Sequence, residues 1–489
     1  GGSHSVAIGS AALSYQNPSS GNVNFYNTAV GSQAGAAVTT GVNNTLIGGL
    51  AGDALTDAYS NVAVGYLALS TDTRGVRSVA IGQSALATQN FSGAITNTYN
   101  VAMGYIAGTA VTTGINNTLI GGLAGDALTD ADYNVAVGAS ALTADTLGSR
   151  SVAIGQSALG SQNFTTATDV YNTAVGMNAG AAVTTGIENT LIGGLAGDAL
   201  TSAGNNTALG AYALTTDTLG SKTTAIGNGA LFSQNFTTAT DSYNTAVGHA
   251  AGVAVTTGTN NTLIGGLAGD AITIGGANVA VGTQALSTNQ TGGNSTAIGY
   301  QALFAQNTSG AVYNTAVGNA AGFSITTGLA NTIIGGLAGD ALTDADDNVA
   351  IGTAALSSDT LGSHTVAIGK NALFAQNFTT ATDTYNVAVG YHAGIAVTTG
   401  VNNTLIGGLA GDALTTGSDN DAIGVSTLST ETAGNKSTAI GRGALNAQNN
   451  STSTDVYNVA VGYLAGLSVT TGLENTFIGG LSGDAVTTG

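Results

Sequence analysis

The chain has 489 residues, of which 75 are glycine and one is proline, and its 26 acidic and 7 basic side chains leave a net charge of −19. It contains no cysteine and no tryptophan, and only 7% of its residues are charged. This composition excludes disulfide and thiolate chemistry and lacks the cationic surface that nucleic acid or an anionic membrane requires. Abundant Gly, Thr and Asn disfavour long helices, and the low charge does not fit a disordered chain. Gly, Thr or Asn interrupts every apolar run before it reaches membrane-spanning length. No leader segment is visible, and the chain starts and stops inside its own repeat, so it reads as a segment truncated at both ends.

In chain order, the first elements are SVAIG at Ser5, NTAVG at Asn27, NTLIG at Asn44, NVAVG at Asn61 and SVAIG at Ser78. The pattern is Asn, Ser or Thr, then any residue, then usually Ala, then Val or Ile, then Gly. It recurs 27 times, ending with NTFIG at Asn475. Successive starts lie 17, 17, 17 and then 19 to 22 residues apart, which makes a long repeat of about 72. No linker interrupts the series, so residues 1–489 are expected to form one continuous body. Each copy is too short for a helix and is bounded by Asn and Gly, so it predicts a short strand. A second apolar piece follows each glycine, as in YLAL at Tyr66, and predicts a second strand.

Two strands and two turns between one motif and the next describe one coil of an all-β, parallel β-solenoid. At the roughly 4.8 Å spacing of paired strands, 27 coils would build a rod on the order of 130 Å long. Asn opens 20 of the 27 coils. Asn27, Asn44, Asn61, Asn100, Asn117 and Asn134 are expected to stack as a structural ladder, tolerating a left-handed turn and bonding amide to amide. Val or Ile before the closing Gly is expected to dominate the interior. Strand side chains alternate faces, so the Ala and the Val/Ile point to opposite sides. A strand apolar on both faces is covered on both, which favours several chains packed side by side.

The stretch NNTLIGGLAGDAL at Asn43 returns near Asn116, Glu188, Asn260, Ala330, Asn402 and Glu474. It partly resembles the calcium-binding nonapeptide of RTX proteins, but Ala51 stands where a glycine belongs and the copies lie four coils apart. Asp53, Asp126, Asp198, Asp270, Asp340, Asp412 and Asp484 are therefore read as turn formers rather than metal ligands. An acid precedes a base by five residues in Asp72/Arg77, Asp145/Arg150, Asp217/Lys222 and Glu431/Lys436, and Asp359/His364 keeps the spacing. Asn289 and Asn294 replace both members in one repeat. These are read as structural surface ion pairs across a turn.

The long coil carries insertions such as QNFTTATDVY from Gln162. Tyr26, Tyr99, Tyr171, Tyr243, Tyr313, Tyr385 and Tyr457 each precede the next ladder Asn, and Phe91, Phe164, Phe236 and Phe378 lie inside the loops. The phenylalanine loops are the candidate ligand-contact residues, the alternative being that each ring packs down over its coil. NNT triplets match the N-glycosylation pattern but are read as ladder positions. The four histidines share no repeated position, no enzyme motif stands out, and no cofactor is implied.

The motifs NTAVG…TTG…NTLIG and SVAIGQSAL resemble the head repeats of YadA-like trimeric autotransporter adhesins, and similar repeats of the same length occur in phage tail-fibre-like proteins. The resemblance spans essentially the whole chain. It implies a left-handed parallel β-roll, three of which pack around one axis as a homotrimer. It also implies an extracellular place, on a cell surface or a virion fibre. The expected function is non-enzymatic: adhesion, or a fibre shaft or head, acting through repeated contacts with a surface glycan or protein receptor. The alternatives are a purely structural filament or sheath subunit and an ice- or mineral-binding solenoid.

Overall fold

The computed structural model describes residues 4–17 and 24–488. The chain forms two compact units, Gly1–Tyr243 and Asn244–Gly489, and each is a stack of coils built alike. The first holds 13 three-residue strands of the repeated motif, from Val6–Ile8 to Thr224–Ile226, and the second holds 14, from Thr245–Val247 to Thr476–Ile478. Within each unit every strand pairs in parallel with the same three positions of the next copy, as Thr28–Val30 does with Thr45–Ile47. The fold is thus an all-β parallel solenoid of about 27 turns, and the step from Thr28 to Thr45 is one regular turn. Among the described residues, six of the seven long coils add a two- or three-residue side pair at the base of the insertion, such as Gly148–Ser149 with Thr168–Asp169.

Among the described residues the second expected strand is absent. The segment after the closing glycine is a run of turns, and in YLAL both Leu67 and Leu69 adopt left-handed backbone, with φ of 59° and 54°. Ala68 and Leu69 are adjacent and both fully buried. A strand sends neighbours to opposite faces, so burying two in succession requires the chain to curl. The curl still bonds between coils: Leu67 N donates to Gly49 O at 3.1 Å, and Leu69 N to Ala85 O at 3.0 Å. A left-handed non-glycine residue costs roughly 1 kcal/mol, and the stacked hydrogen bonds offset it.

The interior is also the reverse of what the motif predicts. The middle strand residue is fully buried in every coil from Ala29 to Ala225 and from Ala246 to Ala460. The Val or Ile beside it faces outward, half-buried or exposed. So short a coil encloses little volume, and large side chains fit inside only in complement. Where the strand supplies Ala63, the turn supplies Leu69; where the strand supplies Leu46, the turn supplies Gly52. A Cβ on Gly52 would stand 2.8 Å from both Leu46 Cδ2 and Leu55 Cδ1. The glycine-rich stretch at Asn43 therefore makes room for a leucine.

A second interior column runs Val38, Leu55, Asp72, Gln89, one residue per coil and all fully buried. The order is repeated as Val111, Leu128, Asp145, Gln162 and as Ile325, Leu342, Asp359, Gln376. Each long repeat consequently has two coils with a dry interior and two with a polar one.

Candidate interaction surfaces

The ladder asparagines are buried and in register, and they bond somewhat differently from expectation. Asn44 N donates to Asn27 Oδ1 at 2.9 Å, and Asn44 Nδ2 donates to Ala58 O at 2.9 Å. The same two bonds hold Asn61 on Asn44, Asn117 on Asn100 and Asn134 on Asn117. Direct amide–amide contact is the longer one, 3.3 Å between Asn44 and Asn27. The left-handed corner is the residue before each ladder position, for example Tyr26, Asn43 and Tyr99 before an Asn and Arg77 and Arg150 before a Ser.

Ser78, Ser151, Thr223, Ser295, Thr365 and Ser437 interrupt the ladder, and a hydroxyl is too short to replace the amide. A glutamine from the long coil spans the gap. Gln162 Nε2 donates to Ser151 Oγ at 2.9 Å and to Asp145 Oδ2 at 2.6 Å, while its Oε1 accepts from Asn172 Nδ2 at 2.9 Å. Gln89, Gln376 and Gln448 make the same three contacts. From sequence these glutamines mark only where the insertion begins, as Gln162 does. Their signal was present: each follows its acid by one regular coil, as Gln162 follows Asp145, and each keeps the spacing of Gln162 to Ser151.

The expected acid–base pairs are not joined. Asp145 is fully buried and accepts from Gly148 N at 3.1 Å and Phe164 N at 3.0 Å besides Gln162. Asp72, Asp217 and Asp359 sit identically, and Glu431 does the same with its longer arm. Each acid thus locks the first turn of the insertion. A Cβ on Gly148 would lie 2.2 Å from Asp145 Oδ2, so the position requires glycine.

The bases face solvent and reach the insertion instead. Arg150 Nε meets Asp169 at 2.8 Å, Lys222 meets Asp241 at 2.6 Å and Lys436 meets Asp455 at 2.6 Å. His364 stands 3.1 Å from Asp383, and Arg77 bonds Asn97 and, at 2.9 Å, the Tyr99 hydroxyl. The hydrogen bond from Lys222 holds the Asp241 carboxyl below the usual carboxylate range, and Lys436 does the same to Asp455. Asp145 and Arg150 serve different partners because the intervening chain runs from the interior column to the outer corner. In the repeat with Asn289 and Asn294, Ala311 takes the place of the loop aspartate, so the base and its true partner are lost together.

The phenylalanine loops also need correction as ligand contacts. Phe164, Phe236 and Phe378 are buried and Phe91 is half-buried, because the acid that captures each Phe N–H draws the ring onto the coil. The corner tyrosines of the long coils are exposed, 50–65% accessible from Tyr26 to Tyr457, as are tyrosines after the closing glycine such as Tyr66 and Tyr105. Corner tyrosines flank the bases: the Arg150 guanidinium lies 5.0 Å from the Tyr133 ring centre and 5.8 Å from that of Tyr171. Lys222 and Lys436 each stand 5.2 Å from the ring of the next corner tyrosine. The result is a recurring exposed cluster of base, acid and tyrosine, one per long repeat where the charges are kept.

The turn aspartates of the opening stretch bond a hydroxyl one coil on, as Asp126 does Thr143 at 2.5 Å and Asp340 does Ser357 at 2.5 Å. Asp53 Oδ1 is buried without such a partner, and burial raises its pKa. Among the described residues no group of three or more His, Asp or Glu side chains could hold a metal ion.

The remaining surface is the outer face of the main sheet. In the first unit the outward positions of all 13 strands are Thr, Val, Ile, Leu or Met, and none is charged. In the second unit Asp421 is the one exception. In comparisons with known proteins, no family model matches the chain, and no curated protein matches it either.

Proposed function

We propose that the chain is a non-enzymatic, fibrous surface protein, of the kind represented by trimeric autotransporter heads or phage fibre shafts, that associates side by side as a homotrimer and contacts its target through many repeated weak sites. The observation that carries this reading is the uncharged outer sheet face. A chain with net charge −19 keeps charge off this strip in every coil but that of Asp421. Ladders of Val and Ile stand half-exposed along it, and large exposed apolar patches mark interaction surfaces. The recurring tyrosine–base–acid clusters would be the repeated contacts, in place of the phenylalanine loops, and an extracellular location accords with both.

The deciding measurement is mass in solution by light scattering or sedimentation equilibrium. A trimer is expected, and Val137→Lys with Ile154→Lys should shift it toward monomer with the solenoid's circular dichroism retained. A monomeric wild-type chain would overturn the assembly. Adhesion is tested separately, by binding to cells and glycan arrays with the corner tyrosines changed to serine.

A second reading is favoured by one detail. Thr173, Thr190, Thr207 and Thr224 face outward in four successive, in-register coils, a flat hydroxyl array of the type an ice or mineral surface would meet. Thermal hysteresis in solution would support it, and its absence would leave the fibre reading or a plain structural filament.

A further inference from the structure

The insertion loops carry a feature that the fold does not explain. Each of six long coils places the sequence Asn-X-Ser/Thr directly after the bridging glutamine: Asn90-Phe91-Ser92, Asn163-Phe164-Thr165, Asn235-Phe236-Thr237, Asn307-Thr308-Ser309, Asn377-Phe378-Thr379 and Asn449-Asn450-Ser451. The middle residue varies, whereas the Asn and the hydroxyl two residues on do not. All six asparagines and all six hydroxyl residues are exposed.

Neither the Asn Nδ2 nor the hydroxyl two residues on is used inside the described chain. In five loops the Asn Oδ1 accepts a second, longer bond from a threonine, as from Thr146 at 3.2 Å. That threonine already bonds the next carbonyl, Phe164 O, at 2.8 Å. No Nδ2 of the six donates to another described residue, and no hydroxyl of Ser92, Thr165, Thr237, Ser309, Thr379 or Ser451 makes a side-chain bond. Asn307 has no side-chain bond at all, and the motif is kept there too.

The main chain is nevertheless anchored, with Asn163 N donating to Thr184 O at 3.0 Å and Asn377 N to Thr398 O at 3.0 Å. A fixed backbone therefore presents a free amide nitrogen to solvent, with a free hydroxyl two residues away. The ladder triplets differ. In NNT the acceptor position is the corner Asn43, but its hydroxyl partner Thr45 is half-buried in the main sheet, whereas the six loop hydroxyl residues are exposed.

We propose that these six loop asparagines are N-glycosylation acceptors, which places one glycan on each long repeat. The Asn Nδ2 forms a bond to the anomeric carbon of a sugar activated as a glycosyl diphosphate, nucleotide- or polyprenol-linked. The bond from that carbon to the phosphate oxygen breaks, the phosphate moiety leaves with the electron pair, and the amide proton passes to a base of the transferring enzyme. The hydroxyl at the third position is what such an enzyme reads together with the Asn. Acceptors of this kind stand on exposed loops, and the proposal does not depend on adhesion or on trimer formation.

The chain contains its own controls. Asn289-Gln290-Thr291 has the same pattern, but Asn289 is fully buried and its Nδ2 donates to Gly292 O at 2.8 Å. Asn17-Pro18-Ser19 stands at the matching place in the first long coil with a proline that blocks the reaction.

The test is peptide sequencing by electron-transfer mass spectrometry on the full chain purified from the organism that makes it. Sugar is expected at the six loop asparagines and absent from Asn289 and Asn17. Single hexoses would identify a nucleotide-sugar donor, and one preassembled oligosaccharide a polyprenol-linked donor. Unmodified asparagine at all six, or occupancy at Asn289 equal to the loops, overturns the proposal. In the same host, Thr165→Val should abolish the adduct on Asn163 while Thr166→Val leaves it; loss in both, or in neither, also overturns it.

Discussion

Within one long repeat the coil opened by Asn44 and the coil opened by Ser151 or its equivalents follow the same path with opposite interiors. The first is dry: Leu46, Ala51 and Leu55 fill it, and Gly52 makes the space. The second is wired: Gln162 and Ser151 fill it, Asp145 of the preceding coil meets Gln162, and the buried polar atoms of all three are spent on neighbours. The dry coil has a fixed length, because non-directional packing gives no hold on extra residues. The wired coil accommodates insertions of differing length, because a carboxylate can grip the backbone at the point where the loop departs. The repeat with Asn289 supports this, since the neutral side chain is accompanied by the shortest long coil, from Ser295 to Asn314. Hydrogen-bonded polar interiors fix a backbone more specifically than apolar ones do, at higher cost when one partner is lost.

The comparison breaks most sharply at Gly148. Replacing it by Ala drives a Cβ into the Asp145 carboxylate, so the cradle must open. The expected local loss is about 4 kcal/mol or more, the scale of unpairing a buried charge. Amide exchange of residues 163–171 should rise by orders of magnitude while coils four turns away remain protected, since coil stability is a nearest-neighbour property. Next comes Gln162→Leu, which leaves Asp145 Oδ2 without its donor and takes from Asn172 Nδ2 one of its two acceptors, the other being Gly186 O. Its expected cost is about 3 kcal/mol, visible as increased exchange on both sides of the coil, whereas Asp145→Asn should be milder because Asn289 already fills that place in a sibling repeat. In the dry coil, Leu46→Ala should cost about 2.5 kcal/mol through a cavity beside Gly52 and leave the insertion loops protected. Protection lost equally in both regions would contradict the division into dry and wired coils.

The smallest effect belongs to the surface pairs. Lys222 lowers the Asp241 pKa in the folded chain, so the pair stabilises above the ordinary carboxylate pKa and that contribution fades as pH falls through the lowered one. Lys222→Ala should leave melting at neutral pH nearly unchanged and remove a slight difference between neutral and strongly acidic solution. A large shift at neutral pH would mean that the exposed cluster matters more than its solvation allows.

Much of the fold was legible because the repeat is the architecture. A regular period, an Asn at the start and a Gly at the end leave few ways to stack, and Thr28–Val30 does pair with Thr45–Ile47 as the spacing predicts. Coil-to-coil register followed too, with Ala29 opposite Leu46 and Val30 opposite Ile47, whereas the face that turns inward did not: the motif places Val64 inside, and Ala63 is the buried one. Neighbours in sequence are not neighbours in space in this fold. Asp145 and Arg150 are close in the chain, yet one faces the interior column and the other the outer corner. Phe164 looked like a loop tip and is buried, whereas Tyr171, at the edge of the same loop, is exposed.

The sequence by itself determined the coil length, the parallel stacking, the asparagine ladder and the place of each insertion. All of these are periodic, and a period can be counted. Only the tertiary structure decided which side of each strand faces inward, that YLAL curls instead of extending, and that a glutamine from further along the long coil replaces the missing ladder amide. Those outcomes depend on the volume one coil encloses and on which polar groups burial leaves without water, and neither can be read from residues taken one after another.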